Sequence, residues 1–161
     1  MCSSDLEEFQ NQPYVCFAPA SVWQTKQLPI DKWNALAKNE NKLIYLIGGP
    51  DDHALCETIK TQSPNRIINL AGRLSLMESI ALMKGAFRNF VNDSGPLHFA
   101  SAVNAPVTAF FCSTVTDFGF GPLSDDSEVK EVTGLPCRPC GLHGKKECPE
   151  GHFKCGKEMV V

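Results

Sequence analysis

The sequence predicts an α/β domain built on a doubly wound, mainly parallel sheet. Short apolar runs rich in β-branched and aromatic residues alternate with segments whose apolar residues recur at helical spacing. Those strand-like segments are continuous apolar runs, as burial on both faces of a parallel sheet requires. A third observation marks one edge of that sheet. The segments that follow the strands, PASVWQTKQLP, GGPDD, AGRLS, NDSGPLH and CSTVTDFGFGP, are rich in Gly, Ser, Thr, Asp or Lys. Ligands of open α/β sheets bind beyond the carboxyl ends of the strands. The opposite edge, with KNENK, QSPNR, MKGAF and VNAP, is ordinary helix-exit material.

The elements follow in order. YVCFAPA (14–20) is a short β-rich run that ends at a proline. DKWNALAKNE (31–40) carries Trp33, Leu36 and Ala37 at helical spacing, with Asp31 as the candidate cap after Pro29. KLIYLIGG (42–49) is a strand stopped by two glycines, and DDHALCETIKTQ (51–62) is a helix with Leu55, Cys56 and Ile59 inward. RIINLAG (66–72) is a third strand. SLMESIALMKGA (75–86) is an amphipathic helix with Leu76, Ile80, Leu82 and Met83 inward. FRNFVND (87–93) is a fourth strand, GPLHFASAV (95–103) a helix, and PVTAFFCS (106–113) a fifth strand. Right-handed crossovers then cover the sheet on both faces. Residues 1–13 read as a frayed polar leader, 14–134 as the domain and 135–161 as a Cys-rich tail. Composition alone suggests a mobile lid over residues 114–126, TVTDFGFGPLSDD.

Bulk properties exclude several classes. A chain of 161 residues supports one well-cored domain. A net charge of −3 argues against a broadly electrostatic nucleic-acid binder. No apolar run approaches the ~20 residues of a membrane span, and residues 1–12 lack the basic start and apolar core of a signal peptide. The expectation is a cytoplasmic protein.

The corner Asn-Asp-Ser-Gly-Pro carries more chemistry than a connection needs. Ser94 or Asp93 can cap the helix that begins at Gly95 and Pro96. Gly95 lets a ligand approach the backbone, where free N–H groups and the helix dipole favour an anion such as phosphate. His98 stands one turn in, and Asp93 can accept from sugar hydroxyls. Simple capping and an ordinary satisfied histidine would explain the same residues. On the loop after the first strand, Lys26 can neutralise a diphosphate as a point charge, or stand solvated. In GGPDD, Asp51 and Asp52 lie at the next helix start, where N-capping is the simpler role. Neither G-x-G-x-x-G nor a P-loop is present.

Eight cysteines are spread unevenly. Cys16, Cys56 and Cys112 sit in apolar or helical segments and read as small buried hydrophobes. Cys137, Cys140, Cys148 and Cys155 are spaced C-x2-C-x7-C-x6-C, with His143 and His152 between them. Such a set can hold a structural zinc, although the spacing is not that of a standard ribbon; unmetallated thiols or oxidation-prone pairs fit as well. A reducing compartment disfavours stable disulfides.

Taken together, APASVWQTKQLP, IYLIGGPDD, NLAGRLSLMESIALMKGA, FVNDSGPLHFASAVNAPVTAFF and LPCRPCGLHGKKECPEGHFKC resemble glycosyltransferase family 9, the ADP-heptose:lipopolysaccharide heptosyltransferases. The resemblance runs over about residues 14–155 and is to the C-terminal, donor-binding half. It implies a Rossmann-like domain that is one half of a GT-B fold. It further implies that Lys26 contacts the donor phosphates and that Ser94, Gly95 and the following N–H groups cradle the diphosphate. Asp93 then lies near the sugar, His98 is the histidine of the same motif, and Asp51 takes a ribose-contacting position often held by glutamate. Lys26 and Asp93 are the residues it assigns to catalysis. The implied reaction inverts the anomeric centre in one displacement and requires no metal cofactor. The implied partners are ADP-heptose and a lipopolysaccharide core acceptor held by an N-terminal domain, with peripheral association at the inner face of a Gram-negative inner membrane. The sequence lacks that N-terminal half, so this piece alone is expected to bind donor without transferring it. A non-catalytic nucleotide-binding module, another GT-B enzyme with a different nucleotide-sugar, and a zinc-stabilised interaction domain are the alternatives.

Overall fold

Residues 8–161 are described by the computed structural model. The strands are β1 (Tyr14–Ala18), β2 (Leu43–Leu46), β3 (Ile67–Asn69), β4 (Arg88–Asn92), β5 (Val107–Phe111) and β6 (Ser127–Glu131). Helices α1 (Ile30–Asn39), α2 (His53–Lys60), α3 (Leu76–Gly85) and α4 (Gly95–Ala102) each connect consecutive strands, and a short α5 (Lys154–Lys157) lies in the Cys-rich tail. The sheet order is β3-β2-β1-β4-β5-β6, and every neighbouring pair is parallel. This is the doubly wound Rossmann order, with its topological switch point between β1 and β4.

Successive residues of β1 feed two cores. Tyr14, Cys16 and Ala18 pack with Leu82 and Met83 of α3 and Leu97 and Ala100 of α4. Val15 and Phe17 pack on the other face with Trp33 of α1 and Cys56 and Ile59 of α2. The period-2 geometry of a strand makes that division automatic once helices cover both faces. Trp33 is fully buried, with its ring 5.3 Å from Phe17 and 5.6 Å from Phe110. Among the described residues no helix is long and apolar enough to cross a membrane.

Five expectations need correction. A sixth strand, SEVKE, pairs with β5 at the sheet edge; it is polar and half exposed, so it shows no apolar run. Asp31 is not the cap of α1: Pro29 takes that position, and Asp31 lies in the first turn, where its charge complements the dipole. Leu76 is exposed at the start of α3 rather than inward. The last residues of the expected lid, 123–125, are tied down. A connection between parallel neighbours must travel back along the sheet, and this one is tied to the far end of α4: Leu123 N–H donates to Ser101 Oγ at 3.0 Å, and Asp125 N–H to Asn104 Oδ1 at 2.9 Å. The leader and tail are also less separate than their composition suggests. Residues 1–7 lie outside the described residues, but Phe9 packs edge-on against Tyr45, whose hydroxyl donates to the Phe9 carbonyl at 2.9 Å. Cys155 and Met159 of the tail are buried in the same core as Trp33.

Candidate functional site

The chain leaves β1 and β4 side by side, and one buried amide fixes their relation. Asn92, at the end of β4, donates from Nδ2 to the Pro19 carbonyl at 2.8 Å and accepts from Leu28 N–H on Oδ1 at 2.9 Å. Both exits are thereby stapled together. A buried side-chain amide must be paired in this way. Asn92 is not among the candidate site residues that the sequence marks out, although an amide at the end of a buried strand is a signal of such a staple.

Lys26 closes a 3-10 turn (Gln24–Lys26) on the β1 exit. Its Nζ lies 2.7 Å from Asp93 Oδ2, with the two side chains only 15% and 6% exposed. The Thr114 hydroxyl donates to the same carboxylate oxygen at 2.6 Å. Behind Lys26, Thr25 is buried. Its Oγ1 accepts from Ser113 Oγ at 3.0 Å and from Lys145 N–H at 2.7 Å, while its own N–H donates to the Lys145 carbonyl at 3.1 Å. The tail main chain therefore lies directly on the lysine turn. At Gly144 (φ +75°) a Cβ would stand 3.0 Å from Lys26 Cγ, so the approach requires glycine there.

The two nearby helix starts differ. At α3, Ser75 and Glu78 form a reciprocal capping box: Glu78 N–H donates to Ser75 Oγ at 3.3 Å, and Ser75 N–H to Glu78 Oε2 at 2.7 Å. At α4 neither expected side chain caps. Ser94 occupies the N-cap position, but its hydroxyl turns back to the Asn92 carbonyl at 3.4 Å, and the Asp93 carboxylate is committed to Lys26 and Thr114. The α4 N-terminus thus presents its donors and dipole to the surroundings without an internal side-chain partner.

Those surroundings are a cavity of about 560 Å³ bounded by the exits of β1, β2 and β4. Its apolar walls include Val22, Ile47, Leu74 and Phe99, and Asp51, Ser94 and Gly95 also line it. The β2 exit is held by Asp52, whose Oδ2 accepts from Gly49 N–H at 2.8 Å. A Cβ on Gly48 would come within 2.7 Å of that oxygen, so the turn depends on glycine. Of the expected site residues, Asp51, Ser94 and Gly95 line the cavity; Lys26 and Asp93 do not, although Asp93 immediately precedes Ser94 in the chain and holds Lys26 to it. His98 does not line it: the ring is exposed and stands edge-on to Phe120, 6.3 Å between centroids. The helical spacing that puts His98 one turn in also turns it onto another side of α4.

In the tail, Cys137 Sγ lies 3.8 Å from His152 Nε2, and Cys140 Sγ donates to the Cys137 carbonyl at 3.2 Å. Burial, then the neighbouring Cys140 and Cys148 thiols, push Cys155 up to about 11. Among the described residues no three His, Cys, Asp or Glu side chains converge to hold a metal ion. Arg138, from the same segment, is the tail's main anchor. It donates to the carbonyls of Cys112 (2.7 Å), Phe111 (3.2 Å), Thr114 (2.6 Å) and Val132 (3.3 Å), and pairs with Glu131 at 2.6 Å.

Residues 2–153 match the sequence model of glycosyltransferase family 9 (heptosyltransferase). The chain belongs to this family. Lipooligosaccharide heptosyltransferase 2 of Haemophilus influenzae is 29% identical over 139 residues, covering 77% of this chain and 40% of that protein. Lipopolysaccharide heptosyltransferase 2 of Escherichia coli K12 is 30% identical over 132 residues, covering 76% and 38%. The solved structure of E. coli ADP-heptose lps heptosyltransferase II superposes with a TM-score of 0.68 at 23% identity, over 87% of this chain and 49% of that one. The family 9 chain thus spans about two fifths of the length of the curated relatives it matches.

Proposed function

We propose that this family 9 chain is the donor-binding part of a heptosyltransferase that passes heptose from ADP-heptose to a lipopolysaccharide inner core with inversion. The observation that carries the reading is the uncapped start of α4 beside Lys26, opening on one cavity at the switch point. An anion placed at Ser94 and Gly95 meets main-chain donors, the helix dipole and a nearby ammonium together. The apolar walls formed by Val22, Leu74 and Phe99 suit a nucleoside, with Asp51 in reach of ribose hydroxyls. The relatives' names point to heptose and to a lipopolysaccharide or lipooligosaccharide acceptor, and that of the E. coli structure to ADP-heptose.

The reaction then assigns the groups as follows. An acceptor hydroxyl oxygen bonds to the anomeric carbon from the face opposite the phosphate. The bond from that carbon to the phosphate oxygen breaks, and its electron pair leaves with ADP. The hydroxyl proton goes to a base outside this chain. Lys26 and the α4 N-terminus are fixed positive ends where charge grows on the leaving ADP, the arrangement that lowers a barrier without reorganisation. Asp93 holds Lys26 in place and faces the sugar side. The tail thiols, with or without zinc, take part in no step. Work on a lipid-borne acceptor places the whole enzyme at the cytoplasmic face of an inner membrane, peripherally attached.

Calorimetric titration of the 161-residue chain with ADP-heptose, ADP and UDP tests this. ADP-heptose and ADP are expected to bind and UDP to bind far more weakly. Lys26→Ala should lower the affinity by about tenfold, the scale of one charge-assisted contact. The chain alone should transfer no heptose. Absence of binding by a folded sample, or equal binding of UDP, would overturn the reading.

A further inference from the structure

We infer that Thr114 is a positioning residue for the phosphate-binding lysine, acting through Asp93; the inference rests on the donor-site reading above. Lys26 and Asp93 alone would form a closed ion pair, with the ammonium 2.7 Å from Oδ2 and little solvent to loosen it. A lysine held in that way serves a phosphate only if the carboxylate stays fixed while the ammonium turns part of its hydrogen bonding to the ligand. The Thr114 hydroxyl supplies that restraint. It donates to the same Oδ2 at 2.6 Å, draws charge from the oxygen that Lys26 touches, and locks the rotamer of the carboxylate.

The hydroxyl is itself held from two sides. Threonine is β-branched and stiff at χ1. Its carbonyl is fastened by Arg138 Nη2 at 2.6 Å, and the same guanidinium grips the carbonyls of Phe111 and Cys112 and the carboxylate of Glu131. Thr114 is 1% exposed, so it reaches a ligand only through Asp93. The chain of contacts Arg138, Thr114, Asp93, Lys26 runs from the Cys-rich tail to the cavity edge, and it gives the tail a part in donor binding that requires no metal.

The test separates placement of the lysine from general support of the fold. ADP and adenosine are titrated into wild type, Thr114→Val and Thr114→Ser. Val keeps the shape and removes the hydroxyl, while Ser keeps the hydroxyl. Thr114→Val should lose about tenfold in ADP affinity with adenosine affinity unchanged, and Thr114→Ser should stay within about twofold of wild type for both. Should the Val protein not fold, Thr114→Ala carries the same expectation. Unchanged ADP affinity without the hydroxyl, or equal losses for ADP and adenosine, would overturn the inference while leaving the donor site intact. Failure of wild type to bind ADP would instead overturn the donor-site reading itself.

Discussion

Thr25 and Lys145, which lie far apart in the sequence, exchange two hydrogen bonds: Thr25 N–H to the Lys145 carbonyl at 3.1 Å, and Lys145 N–H to Thr25 Oγ1 at 2.7 Å. One residue away from Thr25 stands Lys26, the residue that faces Asp93. The tail is therefore the back wall of the lysine turn and not an appendage to the domain.

Thr25→Val tests that wall. The substitution keeps the buried volume and removes the acceptor shared by Lys145 N–H and Ser113 Oγ. Leaving the buried Ser113 hydroxyl without this partner, together with the part-buried Lys145 N–H, should cost about 1–3 kcal/mol. The urea midpoint is expected to fall accordingly with an unchanged m-value, and ADP affinity should fall with it because Lys26 loses its support. A midpoint equal to that of wild type would show that solvent or a neighbouring group takes over the bonds.

Gly48→Ala probes the cavity at the β2 exit. The added Cβ would meet Asp52 Oδ2 at 2.7 Å and Asp52 Cβ at 2.9 Å. The carboxylate must leave Gly49 N–H, and the turn carrying Asp51 must move with it. The expected outcome is a loss of about 1–3 kcal/mol in stability, together with weaker adenosine binding, both visible in one ligand-dependent thermal melt. Retained adenosine affinity would place the nucleoside away from the β2 exit.

Physical reasons separate what could be read from the sequence and what could not. β1, β2 and β5 lie in the sheet interior, and burial on both faces wrote them as apolar runs such as KLIYLIGG and PVTAFFCS, while interior β4 (RNFVN) keeps buried Asn89 and Asn92. β6 gave no such signal because SEVKE is an exposed edge. The corner at 92–98 stood out because Asp, Ser, Gly and Pro together exceed what a turn demands. Its internal arrangement did not, since the partners of Asp93 come from two other loops, through Lys26 and Thr114. The same holds for Arg138, whose acceptors apart from Glu131 are main-chain carbonyls and so leave no mark in residue type. Misplacement of His98 has a simpler cause: sequence distance put it one turn along α4, and only the packing of Phe120 shows which side it takes.

Alkaline pH should weaken the fold through its buried thiols. Desolvation pushes Cys155 from its ordinary value of 9.0 up to about 11, and Cys56 up to about 12, while burial also raises Cys16 and Cys112. Desolvation by burial likewise pushes Tyr45 up to about 12. Once pH exceeds the unfolded thiol value, the unfolded chain has released protons that the folded chain still holds. Stability must then fall as pH rises, since its slope follows protons bound when unfolded minus protons bound when folded. The stabilisation is fully present below about pH 8, erodes from about pH 9, and for Cys155 is exhausted above about pH 11. Urea midpoints at successive pH values should be level near neutrality and drop through this window. Iodoacetamide mapping by mass spectrometry gives the residue-level check: Cys16, Cys56, Cys112 and Cys155 should resist alkylation in the native protein at pH about 9 and react after unfolding. Rapid native labelling of Cys155 would mean that α5 opens readily, and with it the tail that backs Lys26.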